Sequence, residues 1–193
     1  MAKGKNDLIL RDRLQFTLDA NGDLDVVYGR VDLSDFVSVV NNEGLSIKEV
    51  RAMIRNPADR TGLMNMSLLG GLGSGFQNAD IMVFATTTAY ENGNDVGIAS
   101  PNTFFQSALR TSQYEDAVSG TVTYGQNDYF EFGTPDLHPE GYTVVSDVLI
   151  GICASNAKQY ADTTLECDIM IIAEPIKITK ADLNDMLTQA SDL

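Results

Sequence analysis

Acidic and amide side chains recur at every second position in LDANGDLD, residues 18–25, and such spacing could hold a cation. The candidate ligands are Asp19, Asn21, Asp23 and Asp25. An EF-hand loop starting at Asp19 would need glycine at its sixth position and glutamate at its twelfth. The chain has Leu24 and Arg30 there, so we interpret the stretch as a turn. Loose calcium binding by loop carboxylates is the alternative.

Nucleophilic catalysis would require a serine, cysteine or threonine beside a base, which is usually histidine. The chain contains one histidine, His138, in the segment PDLHPEG. Cys153 and Cys167 lie in apolar segments, which favours buried small side chains over a disulfide. These three residues are also too few for the usual four-ligand zinc site. The sequence therefore predicts no enzyme activity, no cofactor and no metal site.

A glycine-rich segment, SLLGGLGSGF (residues 67–76), shares only its glycine content with phosphate-binding loops. No GKS or GKT follows the glycines and no GxGxxG pattern is present, so the phosphate-cradling motifs are not met. Glycine also allows another backbone to approach closely. We therefore predict a loop that contacts a neighbouring chain. Its contact residues would be Leu69, Gly70, Gly71, Leu72, Gly73, Gly75 and Phe76.

The charge of the chain is unevenly distributed and argues against nucleic-acid binding. The sequence has 13 basic and 27 acidic residues, a net charge of −14. Residues 1–60 hold nine Lys or Arg and ten Asp or Glu, whereas residues 61–193 hold four and seventeen. Because nucleic-acid binding depends on cationic contacts to phosphates, we expect no direct binding of DNA or RNA. The sequence also predicts neither a transmembrane segment nor a signal peptide.

Apolar side chains at every second position predict β-strands in the first third of the chain. Residues 8–19 and 24–33, joined by Asn21-Gly22, are predicted to form a hairpin. DLSDFVSVVNNEG (32–44) is predicted to be a short helical or irregular crossing. LSIKEVRAMIRNP (45–57) has both a helix-capping pattern and strand alternation, and its neighbours favour a strand.

The remaining segments are predicted to alternate between strands and short helices. The strands are IMVFATTTAY (81–90), SGTVTYG, DYFEFG, YTVVSDVLIGICAS (142–155) and TLECDIMIIAEPIKIT (164–179). PNTFFQSALRTSQYED (101–116) is predicted to be a helix, because Phe104, Phe105, Ala108 and Leu109 share one helical face. A short C-terminal helix over residues 181–191 would present Leu183, Met186 and Leu187 as further assembly contacts.

Eight or nine strands with two or three short helices indicate an all-β protein. Long helices do not alternate with the strands, which disfavours a parallel α/β sheet. We therefore expect one domain spanning residues 1–193, folded as a two-sheet antiparallel, jelly-roll-like β-sandwich with short helices in its loops.

The strand pattern, with insertions such as PNTFFQSALRTSQ, resembles the single jelly-roll capsid proteins of icosahedral viruses from LILRDRLQF through EPIKIT. The resemblance implies eight strands in two facing sheets, and a virion protein made in the host cytoplasm. Members that package single-stranded genomes usually carry a basic N-terminal arm, whereas here only Lys3 and Lys5 precede the first strand. This departure fits shells that enclose a membrane or cover another layer.

The resemblance implies a structural protein that assembles with copies of itself and with other shell proteins. Each stable contact would bury about 800 Å² per partner. One alternative is a tail, tube or filament subunit. The other is a soluble β-sandwich module that binds a carbohydrate or another ligand through tyrosine-bearing loops such as VTYGQNDYF.

Overall fold

The computed structural model describes residues 7–62, 64, 67–70, 74–133 and 141–191. Within these ranges the chain forms nine strands, one α-helix and two 3-10 turns. The strands are β1 (Leu8–Thr17), β2 (Leu24–Val31), β3 (Glu43–Arg55), β4 (Gly75–Thr86), β5 (Thr103–Glu115), β6 (Val122–Gly133), β7 (Tyr142–Val144), β8 (Val148–Ser155) and β9 (Thr164–Lys177). The helix α1 is Lys180–Ser191, and the turns are Gly93–Asp95 and Lys158–Tyr160.

The strands form two antiparallel sheets that pack as a sandwich. One sheet has the order β1-β9-β3-β7 and the other has the order β2-β8-β4-β5-β6. Pairing is nested along the chain, because β1 pairs with β9, β2 with β8, β3 with β7 and β4 with β5. Nested pairs divided between two sheets are the connectivity of a jelly roll, and β6 adds one strand to the eight. The predicted all-β, jelly-roll-like sandwich is confirmed.

Alternate side chains of the central strands fill the space between the sheets. Ile81 and Val83 on β4 and Ile169 and Ile171 on β9 belong to one buried cluster. Residues two apart on a strand point to the same face, so this spacing of β-branched residues defines the inner face of each sheet.

A second, smaller core lies on the outer face of the five-stranded sheet. Residues 87–102, which connect β4 to β5, cross this face and pack Tyr90 and Val96 against Phe84. The Tyr28 hydroxyl donates to the Tyr90 carbonyl at 3.0 Å and accepts from the Tyr90 N–H at 2.7 Å. Parts of β4 and β5 are therefore covered on both faces.

The predicted hairpin at Asn21-Gly22 is wrong, although the predicted turn is present. The Asp19 carboxylate accepts the backbone N–H groups of Asn21 and Asp23, both at 2.8 Å. After this turn β1 and β2 enter different sheets and pair with β9 and β8. The turn is determined by hydrogen bonds between neighbouring residues, whereas the choice of partner strand depends on where each apolar face is buried.

The helix predicted over residues 101–116 is also wrong, because this segment forms β5. Phe104, Phe105 and Ala108 are each 1% exposed. Phe105 lies in the main core, whereas Ala108 lies in the smaller core on the outer face of the five-stranded sheet, which we call the outer cluster. A strand buried on both faces places apolar residues at spacings of three and four, which imitates a helix.

The strand predicted over residues 142–155 is two strands, β7 and β8, which belong to different sheets. Asp147 lies between them and accepts the Leu33 N–H at 3.0 Å. VTYGQNDYF is not a loop but part of β6, which unites the predicted strands SGTVTYG and DYFEFG.

Several other predicted elements are confirmed. Residues 45–55 are strand, and the C-terminal helix is present. Residues 32–42 form turns with an isolated bridge from Ser38 to Glu43, as expected for an irregular crossing. No helix in the described part of the chain is long and apolar enough to cross a membrane.

Candidate assembly surfaces

The glycine-rich segment is divided between the core and the surface. Leu69 is fully buried in the main core. Gly70 follows with φ +67° against the Gln159 side chain. Gly71, Leu72 and Gly73 lie outside the described residues. Leu69 therefore anchors the segment to its own fold rather than presenting it to a neighbour.

Phe76 is the large apolar side chain that this segment exposes. Gly75 and Phe76 begin β4, and Phe76 is 79% exposed. Its ring centroid lies 4.9 Å from that of Tyr114 on β5. The register places Phe76 opposite Tyr114 and Tyr114 opposite Tyr124 on β6. We call Phe76, Tyr114 and Tyr124 the aromatic row, which crosses the outer face of the five-stranded sheet.

The outer strand β6 is exposed along most of its length. Four of the eleven exposed large apolar side chains among the described residues lie on it: Val122, Tyr124, Tyr129 and Phe130. The Arg110 guanidinium lies over the Phe130 ring, 5.9 Å from its centroid. On the same face the Gln126 amide donates to the Asp128 carboxylate at 2.8 and 2.9 Å. Apolar exposure is therefore concentrated on this strand.

The C-terminal helix is capped and partly buried. The Thr179 hydroxyl accepts the Asp182 N–H at 3.2 Å and donates to the Asp182 carboxylate at 2.6 Å. Leu183 is 5% exposed and Met186 is half-buried. The side chain of Leu187 lies outside the described residues. Of the two predicted contacts on this helix whose side chains are described, Met186 is partly exposed and Leu183 is buried.

Ion pairs cross the outer face of the four-stranded sheet. Arg13 on β1 donates to Asp168 on β9 at 2.5 and 3.2 Å. Arg55 on β3 lies 3.6 Å from Asp168 and 3.8 Å from Glu166. The hydrogen bond from Arg13 holds the pKa of Asp168 below its ordinary value. The Arg13 side chain is 50% exposed, so each of its pairs contributes little stability.

Carboxylates line a polar pocket of about 580 Å³ on the outer face of the five-stranded sheet. They belong to Asp23, Asp25, Asp80 and Glu91. Burial raises the pKa of Asp80, and the nearby Arg110 partly offsets this shift. Asp23 accepts the Asn156 N–H at 2.6 Å. Among the residues that the structure describes, no group of three or more acidic, histidine or cysteine side chains is placed to hold a metal ion.

An apolar cleft of about 340 Å³ opens between the two sheets. On β3 it is lined by residues 52–54, beyond residues 45–47, which are the part of β3 that pairs with the three-residue strand β7. The apolar lining comes mainly from Met53, Ile54, Met64, Ile81, Val83, Leu109 and Tyr129. The cleft has the size of a small-ligand pocket.

The two cysteines are not activated nucleophiles. Cys153 and Cys167 are free and buried, which confirms the interpretation of buried small side chains. Burial raises the pKa of each thiol to about 12, so both stay protonated at neutral pH. His138 lies outside the described residues.

No protein-family model matches the chain, and it has no significant match among curated proteins. The connectivity of the described strands is that of a jelly-roll β-sandwich with an added edge strand.

The outer edge of β6 is a surface that sequence analysis does not predict for assembly. Tyr124, Asn127 and Phe130 lie on this strand and are not among the predicted assembly contacts, although the segment that contains them, VTYGQNDYF, is predicted as a ligand-binding loop. The available signal was the run VTYGQNDYFEF, which contains aromatic residues but no Lys, Arg or Pro. Gln126 and Asn127 lie between the two predicted strands SGTVTYG and DYFEFG, because both residue types are polar and asparagine favours turns.

Proposed function

We propose that the protein is a structural subunit that assembles with copies of itself into a shell, such as a virus capsid. The observation that carries the proposal is the nested jelly-roll pairing of the strands, from β1 with β9 inward to β4 with β5. Jelly rolls build capsids, but they also serve as lectin and cupin domains. The choice among these functions therefore depends on the surface.

The surface favours contacts between protein chains. Phe76 is 79% exposed and Tyr124 is 45% exposed, and the register places both in the aromatic row. Contiguous exposed apolar side chains on soluble proteins commonly mark sites of interaction. A charge of −14 on each chain opposes association, so assembly should strengthen as salt screens this repulsion.

The decisive experiment is light scattering after size-exclusion chromatography of the full chain, at low and high salt and with and without calcium. Negative-stain microscopy of the large fraction then gives its shape. Closed particles are the expected result. Rings or open tubes would instead assign a tail, tube or filament subunit. A monomer of 20.9 kDa under every condition would contradict self-assembly.

Paired substitutions test whether the predicted contact at Phe76 acts in assembly. Phe76→Glu places a charge in the aromatic row and should lower the particle yield. Ile98→Glu is the matched control, since Ile98 is 63% exposed but lies between β4 and β5. Equal losses with both variants would show that added charge alone, rather than this contact, reduces assembly.

The apolar cleft favours one second candidate, a ligand-binding module. Its lining of Met53, Met64 and Leu109 suits an apolar ligand better than a carbohydrate, whose hydroxyl groups would lose hydrogen bonds there. Calorimetric titration of the protein with a medium-chain fatty acid and with a hexose separates the two. Heat from the fatty acid alone, with a protein that stays monomeric, would favour the module.

A further inference from the structure

Among the described residues the sandwich has four edge strands, and three of them carry features that block pairing with another sheet. β7 has only three residues, β2 contains a bulge, and β1 has charged residues at positions 11–13. Short length, bulges and charges are the devices that protect natural sheet edges. The fourth edge strand, β6, has twelve residues with no Lys, Arg or Pro.

The outer edge of β6 is regular and open. Its register with β5 is unbroken over residues 124–133, and no strand in the described ranges pairs with its other side. Its two acidic residues have partners within the chain, since Gln126 donates to Asp128 and Arg51 donates to Glu131. A strand of this length with free backbone groups can accept another strand.

The sequence of β6 is complementary to itself about one position. When two copies pair antiparallel around a two-fold axis, opposite residues lie equally far from the centre and share a face. With Asn127 at the centre, Gln126 stands opposite Asp128 of the second copy, which pairs an amide donor with a carboxylate. Tyr124 stands opposite Phe130, an aromatic pair, and Tyr129 stands opposite Gly125, where a ring covers the glycine.

Neighbouring centres are less favourable. A centre at Asp128 would place the two carboxylates directly against each other, which is destabilising. A centre at Gln126 would place Tyr124 opposite Asp128 and separate the aromatic pair. Asn127 is therefore the centre at which charge and aromatic pairing agree.

The aromatic row supports the same arrangement. In this register the row of Phe76, Tyr114 and Tyr124 continues into Phe130 of the second copy, and the register of that copy places Ala108 next. Exposed rings at the end of each sheet would then become a continuous apolar band across the pair.

We propose that two copies of the chain pair through the outer edges of their β6 strands, antiparallel and centred on Asn127, to form one ten-stranded sheet. The proposal deepens the proposed assembly function and rests on it only in that the partner is a second copy of the chain.

A single introduced thiol tests the register. In Asn127→Cys the two new side chains would face each other across the axis, with Cα atoms within disulfide range. Cys153 and Cys167 are buried and should not compete. Under mild oxidation Asn127→Cys should form a disulfide dimer faster than the control Gln126→Cys, which stands opposite residue 128. Faster cross-linking of Gln126→Cys, or none of Asn127→Cys, would overturn the proposal.

A charge pair tests the contact without covalent chemistry. Gln126→Lys would place an ammonium group opposite Asp128 of the second copy and should lower the Kd of the dimer. Gln126→Asp would place a second carboxylate there and should raise the Kd. The controls are Val118→Lys and Val118→Asp, since Val118 is 97% exposed in the turn before β6. Sedimentation equilibrium gives each Kd. Shifts of equal size at positions 118 and 126 would reduce the effect to net charge and overturn the proposal.

The two proposals fail in different ways. If particles assemble but Asn127→Cys does not cross-link, the proposed β6 pairing is contradicted and shell assembly is supported. If cross-linked dimers form but particles never do, β6 pairing is supported and the proposed shell function is contradicted.

Discussion

Arg51 on β3 donates to Glu131 on β6 at 2.7 Å, and this ion pair joins the two sheets of the sandwich. Glu131 also accepts the Tyr129 hydroxyl at 2.5 Å, and that hydroxyl lies 3.2 Å from the Ser107 hydroxyl, which donates to it. β6 lies beyond the eight strands of the jelly roll, so this polar chain ties the added strand to the opposite sheet.

We expect the Arg51–Glu131 pair to contribute a small coupling energy. The Arg51 side chain is 50% exposed and that of Glu131 is 25% exposed, and such pairs contribute about 0.5 kcal/mol. A double-mutant cycle with Arg51→Met and Glu131→Gln, followed by urea unfolding, measures the coupling and separates it from the Arg51–Glu49 contact. A coupling indistinguishable from zero would mean that the pair does not hold β6.

Gly151 should be intolerant of any side chain. It lies on β8 beside Phe84, and a Cβ there would overlap the Phe84 ring. That ring is fully buried and packs edge-on against Tyr28, so it has no free space to move. Gly151→Ala should lower the free energy of unfolding by about 1–3 kcal/mol, measured in urea.

Gly97→Ala is the matched control for Gly151→Ala. A Cβ at Gly97 would meet nothing within 4 Å, so its unfolding curve should be nearly unchanged. Equal losses at both positions would indicate a general cost of removing glycine rather than a collision with Phe84.

The turn at residues 19–23 shows which part of the fold can be predicted from sequence. Asp19 and Gly22 specify the turn through local hydrogen bonds and φ +77°. The Gly22 carbonyl also accepts the Ala157 N–H at 2.9 Å, and a Cβ on Gly22 would overlap the Ala157 backbone. This second requirement, like the pairing of β1 with β9, comes from residues far along the chain, which local patterns do not contain.

The candidate surfaces were predictable only in part for the same reason. The glycine-rich segment was recognisable, but its register buries Leu69 and exposes Phe76. The open edge of β6 depends on strand order, because a strand is an edge only when no other strand pairs beside it. The composition of β6 is therefore compatible with an exposed strand, but it does not show that the outer edge of β6 has no partner strand.

Asp80 gives a pH dependence with a definite sign. Burial raises its pKa, so its contribution to stability is full below the unfolded pKa of about 3.9 and is lost as pH rises through the folded value. Asp80→Asn removes the buried charge. We expect the variant to have a higher Tm than the unsubstituted protein at pH 7 and no advantage at pH 3.

Asp116→Asn should behave in the opposite way. Hydrogen bonds from the backbone of Ser119 and Val118 lower the pKa of Asp116. Its charge therefore contributes stability above the unfolded pKa that is lost as pH falls through the folded value. Asp116→Asn should lower Tm at pH 7 and have less effect at pH 3. The same sign for both variants at pH 7 would contradict the assignment of burial as the cause at Asp80.

The two native thiols should differ in how they become reactive. Each has a pKa of about 12, so neither should react with a disulfide reagent in the folded protein at pH 8 on the time scale of an unfolded control. Cys153 lies in the outer cluster. It is covered by Gly93 of residues 87–102, which lies so close that a Cβ on Gly93 would be 2.5 Å from the Cys153 sulfur. Cys167 lies in the main core between the sheets.

Local opening of residues 87–102 is therefore sufficient to expose Cys153, whereas Cys167 requires the sheets to separate. We expect labelling of Cys153 to be faster and less dependent on urea than labelling of Cys167, as mass spectrometry of tryptic peptides can measure. Gly93→Ala should accelerate only Cys153, because it displaces the cover and leaves the main core intact. Equal rates and equal urea dependence at both cysteines would mean that the outer cluster opens only when the whole sandwich unfolds.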